Sequence, residues 1–489
     1  MRKKIGFILY LITFVGNLMA QSTESIPVMR VYFDGFIARD MPYINGQMQL
    51  TDTDGSVVEL PAKFRTRGAT AQEYLMKPSL NMKLLTADYS EEADSALLGM
   101  RSCSSWILDA MAIDVICMRN RVAFDIWNEF SKLPYDTDFN GRNGTDGRFI
   151  EMYINDKYYG IYCLSDRINR KLLNLKKVKE EGDGNATIRG VLYKSGTQNI
   201  LNQNEPTYSD DSITCVIEWH NAWELKYPEE YAGSVVWQPL QDAYANGRNA
   251  EYVKKYFYLE NLADYQLFVM ALAIVDNWGN KNRFFSIRNI SKNINDADTS
   301  ESDRRRFVVT PWDLDTSLGG SFDGTCYDNN YTEWPVDIIP KIAPYPNSEI
   351  QKDPDFLNIL KRRWIEGRET AFSIASVKSK LERYRNLFLK SGAWQRMVDH
   401  FEAQSNKPKY VTDLTHEINL IENWYVDRFY EMDAYFGIVD PDGINEIRNE
   451  EISFKNDEAL YDLSGRRVNS SQLSREIFIK NHKKVLIQP

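Results

Sequence analysis

Asp264-Tyr-Gln-Leu-Phe-Val-Met-Ala-Leu-Ala-Ile-Val275 opens the stretch on which the reading of this 489-residue chain turns. Its near-continuous apolar character predicts a buried helix. It breaks into a polar cluster, Asp276-Asn-Trp-Gly-Asn-Lys-Asn282. Two strand-like segments follow, Arg283-Phe-Phe-Ser-Ile-Arg288 and Arg306-Phe-Val-Val-Thr310, and the second runs into Pro311-Trp-Asp-Leu-Asp315. The order is helix, acidic loop, hairpin, acidic loop. A hairpin brings its ends together, so it is expected to set Asp276 beside Asp313 and Asp315, about forty positions away. Two carboxylate loops there, with Asn280 and Asn282, supply oxygen donors for Mg²⁺ and a general base. The competing reading makes Asp276-Asn-Trp-Gly279 an ordinary turn and Pro311-Trp-Asp-Leu-Asp315 the end of a strand.

Before this stretch, strand patterns dominate. Val28-Met-Arg-Val-Tyr-Phe33, Val57-Val-Glu-Leu60, Lys63 to Gly68, Ser79 to Leu85 and Ser105 to Leu108 read as strands around turns such as Asp52-Thr-Asp-Gly55. Apolar residues from Val115 to Phe130 recur at helical spacing. Phe149 to Ile154 and Tyr158 to Leu164 flank Asn155-Asp-Lys157 as a hairpin. Gly190 to Lys194 reads as a strand, and residues 216–260 as solvent-facing helix. Asn261 is expected to cap the central helix. Beyond Gly320, helical periodicity covers Phe356 to Glu366, Ile374 to Lys390 and Val411 to Phe436. Asp440-Pro-Asp-Gly443 ends this region, and short strands are expected near 459–465, 476–480 and 484–487.

Composition bounds the class. A hydrophobic fraction of 43% is that of a globular chain, and a net charge of −10 argues against a nucleic-acid partner. Arg2-Lys-Lys4, the apolar run Ile5 to Val15 and Met19-Ala20 before Gln21 read as a signal peptide over 1–20. No stretch reaches the roughly 20 apolar residues of a transmembrane span, so the expectation is an exported protein, periplasmic, surface-bound or secreted. The five Cys residues allow at most two disulfides, and no CxxC pattern points to a metal-thiolate site. The four His residues show no ligand spacing, and no GxSxG occurs. Arg65-Thr-Arg67-Gly68, Lys77 and Lys83 gather cations suited to nucleotide phosphates, or to keeping a sheet edge soluble. Asp166 is placed to pair with one of those cations, or to sit in a surface turn.

Several segments together resemble the CotH kinase family, the spore coat protein H group of atypical protein kinases. Arg67-Gly-Ala-Thr70, Lys77-Pro78 and Met82-Lys-Leu84 are similar to the family's Arg-Gly-Asn-Ser/Thr, Lys-Lys-Pro and Lys-Leu motifs, with Ala69 for Asn. Leu98-Gly99, Trp106-Ile-Leu108 and Met118-Arg-Asn-Arg-Val-Ala123 resemble its connector, strand and Arg-Asn helix. Asn155-Asp-Lys-Tyr-Tyr-Gly-Ile-Tyr162 resembles its hairpin, with Asp166 where the family carries Glu. Val275-Asp276, Asn282 and Trp312-Asp-Leu-Asp315 resemble its central motif. The resemblance spans roughly residues 28 to 437 and implies an α+β, two-lobed, protein-kinase-like fold. A β-rich N-lobe would cover 27–175. A helical C-lobe would cover 176–437, with catalytic loops at 276–282 and 311–319. Residues 444–489 look like a small C-terminal β module of the sorting type.

By position, the resemblance implies Asp276 as catalytic base. Asn282, Asp313 and Asp315 would be metal ligands, and Arg67, Lys77, Lys83 and Asp166 would serve the nucleotide. It implies ATP with Mg²⁺ or Mn²⁺ as cofactors and a protein Ser/Thr hydroxyl as acceptor. The alternatives from other classes are a catalytically silent surface or matrix binding protein and a metal-dependent phosphohydrolase.

Overall fold

Strands over 28–109 and 147–166 roll into a closed barrel, alternating inward and outward residues at Val28–Phe33 and Leu80–Leu84 and buried in continuous runs at Ser105–Asp109 and Lys157–Asp166. The computed structural model describes residues 25–38, 40–68, 76–135, 141–182, 185–196, 214–218, 221–277, 282–291, 305–320, 348–402, 404, 408, 410–438, 460–461, 467–468, 476–480 and 483–487. The expected signal peptide, Asn280, Ala69-Thr70 and Asp440 to Gly443 lie outside them. The described chain is a mixed α+β protein and forms two compact units, each entered more than once. The first draws on 1–110, 148–164 and 383–407, the second on 111–147, 165–382 and 408–489. No single cut at 175/176 separates them.

The first unit is the barrel. Its strand order is β1 (Val28–Phe33), β2 (Ile44–Thr51), β3 (Val57–Thr66), β4 (Leu80–Leu84), β5 (Ser105–Asp109), β7 (Lys157–Asp166) and β6 (Gly147–Ile154). Parallel pairing of β1 with β6 puts Val28 opposite Glu151 and completes the closure. Met29, Val31, Phe64, Leu80, Met82 and Leu108 are fully buried, as period-two alternation requires. Closure leaves no edge at β3 and β4, so Lys63, Arg65 and Lys83 stand on mid-wall strands and guard no sheet edge. The helix Ala393–Glu402 was not anticipated from sequence. It joins this unit through an Arg396–Glu151 ion pair at 2.7 Å and through Met397, packed against Gly160.

In the second unit a five-stranded sheet runs β11 (Thr214–Glu218), β12 (Asn221–Tyr227), β10 (Val191–Gly196), β13 (Arg283–Ile287), β14 (Phe307–Pro311). A two-stranded ribbon, β8 (Lys179–Glu180) with β9 (Ala186–Thr187), precedes it. The helical reading of 216–260 fails in its first part, because Trp223 and Leu225 are buried at period two while Glu224 and Lys226 are half-exposed, which makes a strand. Helices follow only at α2 (Ser234–Asn246) and α3 (Ala250–Tyr256). The first helix, α1 (Arg119–Phe130), starts four residues later than its apolar spacing suggests. The Asp114 carboxylate accepts the N–H groups of Met118 at 2.7 Å and Arg119 at 2.8 Å, fixing the start.

The central helix, α4 (Leu259–Ala271), is buried on every side from Asn261 onward, which is why it reads as apolar throughout. Asn261 is not its cap. The helix begins at Leu259, and the Asn261 side chain accepts from Val309 N at 2.6 Å and donates to Val309 O at 3.1 Å, stitching α4 to β14. The later helices are α5 (Pro354–Arg368), α6 (Ile374–Lys390), α7 (Ala393–Glu402, of the first unit) and α8 (Leu414–Tyr435). At α5, Asp353 accepts the N–H groups of Asp355 and Phe356 and Pro354 takes the first turn. The backbone of the tail pairs as β16 (Arg467–Val468), β15 (Leu460–Tyr461), β17 (Glu476–Lys480) and β18 (Lys483–Ile487). Cys103, Cys117 and Cys163 carry buried thiols rather than disulfides. No helix among the described residues is long and apolar enough to cross a membrane.

Candidate active site

The end of α4 positions the first acidic loop. Its carbonyls would be left without partners at the C-terminus, and Arg428 of α8 meets one of them, donating Nε–H to Met270 O at 2.8 Å. Ala273 then takes a left-handed φ of 46°, which stops the helix short of Val275. A 3₁₀ turn, Val275–Asn277, presents Asp276 half-exposed while Val275 and Asn277 are buried.

The hairpin of β13 and β14 delivers the second loop to the same place. Arg283 lies opposite Pro311, and Trp312 N donates to Asn282 O at 2.9 Å just beyond the strands. The two acidic loops therefore meet where the hairpin pattern predicted. Asn282, at a left-handed φ of 58° that Asn tolerates, donates through Nδ2 to Asp276 Oδ2. Asp276 N donates to Thr316 Oγ1 at 3.3 Å, one residue beyond Asp315. Asn277 is fully buried, and its Nδ2 donates to Asn282 O at 3.0 Å and to Trp312 O at 3.2 Å. Sequence reading passed over Asn277 in favour of Asn280 and Asn282. The available signal was an amide directly after Asp276, where a turn leaving a buried helix needs donors.

Other contacts hold the second loop in shape. The Trp312 ring packs edge-on against Phe284 at 5.5 Å and Phe124 of α1 at 6.5 Å, with the Lys194 ammonium 5.7 Å from its centroid. Asp313 sits at a left-handed φ of 60°. Leu314 N donates to Asn120 Oδ1 at 3.4 Å, and Leu318 N to Leu272 O at 2.8 Å. A Cβ at Gly320 would stand 2.9 Å from Arg119 Cδ, so the loop closes against the first turn of α1. Arg119 is itself buried and paired with Asp114 at 2.7 Å. The Arg119-Asn120 pair thus contacts the acidic loop directly, a role the sequence did not assign.

Elsewhere, Asp166 is fully buried. Its Oδ2 accepts from Arg142 Nη2 at 2.8 Å and its Oδ1 from Asp146 N at 2.8 Å. The cation that meets it is Arg142, which the sequence reading did not consider. The neighbouring Asn143 accepts from Thr310 Oγ1 at 2.6 Å, tying this loop to β14 just before Trp312. In the barrel unit, Arg67 lies 3.8 Å from Asp109, whose carboxylate also accepts from Ser79 Oγ at 3.3 Å. Lys77 is completely buried, with Nζ 3.4 Å from Met397 Sδ and 5.4 Å from the Tyr162 ring centroid. Lys83 is on the outer face of β4 and donates to Glu92 Oε1 at 2.6 Å, an oxygen that Lys63 approaches to 3.5 Å.

Near α4, burial pushes Asp264 up to about 6 even though it accepts from Arg363 Nε at 2.7 Å. Among the described residues no group of three or more His, Cys, Asp or Glu side chains forms a metal cluster. The two loops carry hard oxygen donors, Asp276 and Asn282 in one and Asp313 and Asp315 in the other, but their carboxylates do not form such a group. That donor chemistry fits Mg²⁺, which takes one or two protein carboxylates and fills its remaining positions with water and phosphate.

No curated protein matches the chain. The family model described as CotH kinase protein matches residues 64–431, which takes in the barrel strands from Phe64, both acidic loops and the helices through most of α8. With three-quarters of its length under that one match, and the two acidic loops joined at the hairpin's end, the chain belongs to the CotH kinase family.

Proposed function

We propose that this chain is an exported protein kinase that moves the γ-phosphoryl group of ATP to a protein Ser or Thr hydroxyl with Mg²⁺ or Mn²⁺. The barrel unit would play the part of a β-rich lobe and the second unit that of a helical lobe. The observation that carries the reading is the junction of Asp276, Asn282 and the Trp312–Gly320 loop through direct hydrogen bonds. In this reading Asp276 accepts the proton of the substrate hydroxyl. The Asn282 amide holds that carboxylate in orientation and leaves its own oxygen for the metal, beside Asp313 and Asp315. The metal, when bound, neutralises charge developing on the transferred phosphoryl group. Arg67, Lys77 and Lys83 are proposed as nucleotide cations on the family pattern alone. Asp166 orders the Arg142–Asp146 loop beneath β14. The tail module, in the same reading, serves secretion or surface sorting.

The test is transfer of label from ATP to protein by the purified chain, against Asp276→Asn and Asp313→Ala. Loss of the base is expected to lower turnover about 10²–10⁴-fold with the fold intact. A wild type that neither binds nucleotide nor transfers label identifies a binding protein, and release of free phosphate without protein labelling identifies a hydrolase. Mass spectrometry of the exported form should find an N-terminus near Gln21, and an intact Met1 would refute export.

A further inference from the structure

We infer that Asn277 is a positioning residue that fixes the spacing between the base loop and the metal loop, with Thr316 as its second pin. The inference rests on the kinase reading of this site but adds residues that neither the motif nor the family match singles out. The argument is geometric. Asp276 and Asp313 belong to segments separated by a whole hairpin, so their spacing depends on contacts made beyond the strands. Trp312 N to Asn282 O extends the strand ladder. Past that point Asn277 Nδ2 binds one carbonyl from each loop, Asn282 O at 3.0 Å and Trp312 O at 3.2 Å. Both carbonyls belong to residues that adjoin or constitute the proposed ligands. On the other side Thr316 Oγ1 accepts the Asp276 N–H at 3.3 Å, so the second loop is tied to the first both before Asp313, through Asn277 and Asn282, and after Asp315, through Asp276.

The Asn277 side chain is fully buried, and its Oδ1 has no partner among the described residues. A buried amide oxygen without a partner is a cost that a merely structural turn would avoid. The retained feature is the pair of donated bonds, which only a side-chain amide at this position supplies. Asn277→Asp keeps the shape and removes both donated bonds. Thr316→Val keeps the shape and removes the acceptor, while Thr316→Ser restores it.

Two measurements test this, transfer kinetics and backbone hydrogen exchange followed by mass spectrometry. Misplacement of reacting groups by an ångström costs about 100-fold in turnover, so Asn277→Asp should lower kcat by about that factor while KM for ATP moves less than about threefold. Thr316→Val should lower kcat about tenfold, and Thr316→Ser should return to within about threefold of wild type. In exchange, Asn277→Asp should lose protection at 275–283 and 311–320 together, with the amides of α5 unchanged. Loss confined to one loop, or a Thr316→Ser variant as impaired as Thr316→Val, overturns the inference. If Asn277→Asp fails to fold, the Thr316 pair decides in its place. If wild type transfers no label, the kinase reading falls, and simultaneous or separate loosening of the two loops still decides the pinning role.

Discussion

Replacing Gly160 by alanine tests how the barrel unit holds the fully buried Lys77. Gly160 lies in the Tyr158-Tyr-Gly-Ile-Tyr162 strand at a φ of 83°. A Cβ there would stand 2.6 Å from Met397 Cγ and 2.9 Å from Met397 Sδ. The left-handed backbone alone costs an alanine about 1–2 kcal/mol. Overpacking a buried site adds about 1–3 kcal/mol. Met397 is flexible in principle, but its sulfur accepts from Ile161 N at 3.4 Å and from Lys77 Nζ at 3.4 Å, so any retreat breaks those contacts. The sum is a loss of about 2–5 kcal/mol. For a unit of about 150–250 residues this lowers Tm by about 4–20 °C. Urea unfolding followed by fluorescence, with thermal melts beside it, measures the change. Gly55→Ala is the internal control, since Gly55 has a φ of 85° and nothing within 4 Å of a Cβ, and it should show only the backbone cost. Adding Met397→Ala to Gly160→Ala should relieve the overlap, giving a double variant more stable than additivity predicts. If Gly160→Ala costs no more than Gly55→Ala, the contact with Met397 carries no energy and the reasoning fails.

Two further outcomes follow from buried carboxylates. Burial raises Asp264 from 3.8 to about 6, so the folded state holds a proton that the unfolded state has released. The associated stability is fully present below about pH 4 and is lost as pH rises through about 6. Asp264→Asn should therefore gain on wild type by up to about 3 kcal/mol between pH 4 and 7 in urea midpoints, and a flat or opposite trend would contradict the raised value. Asp166→Asn removes the nearer carboxylate of the partly solvated Arg142, leaving it the longer 3.7 Å contact with Asp146, and should cost about 1–3 kcal/mol in the same assay. A selective rise in KM for ATP, with stability unchanged, would instead make Asp166 a direct nucleotide contact.

The sequence alone determined what depends on local pattern. The apolar run to Val275, the hairpin of β13 and β14 and the alternation of the barrel strands were legible because burial imposes a period on the residues that experience it. The meeting of the two acidic loops was legible for a related reason, since a hairpin joins its own ends whatever surrounds it. Tertiary structure alone decided which side chains do the joining. Asn261 looks like a cap because it is an amide near a helix start, yet β14 offers it a donor and an acceptor and the helix begins earlier. The strand over Asn221–Tyr227 pairs on one side with β11, close by in the chain, and on the other with β10, some thirty positions back, and this second pairing buries it in mid-sheet without leaving any local mark. Asp166 and Arg142 are 24 positions apart, and Lys77 and Met397 are 320 apart. No periodicity encodes such pairs, because they form when separate segments are buried together and each polar group must find a partner there. Asn277 joins both kinds of knowledge. Its neighbour Asp276 could be read from the chain, but its own bonds to Asn282 and Trp312 exist only once the hairpin has closed.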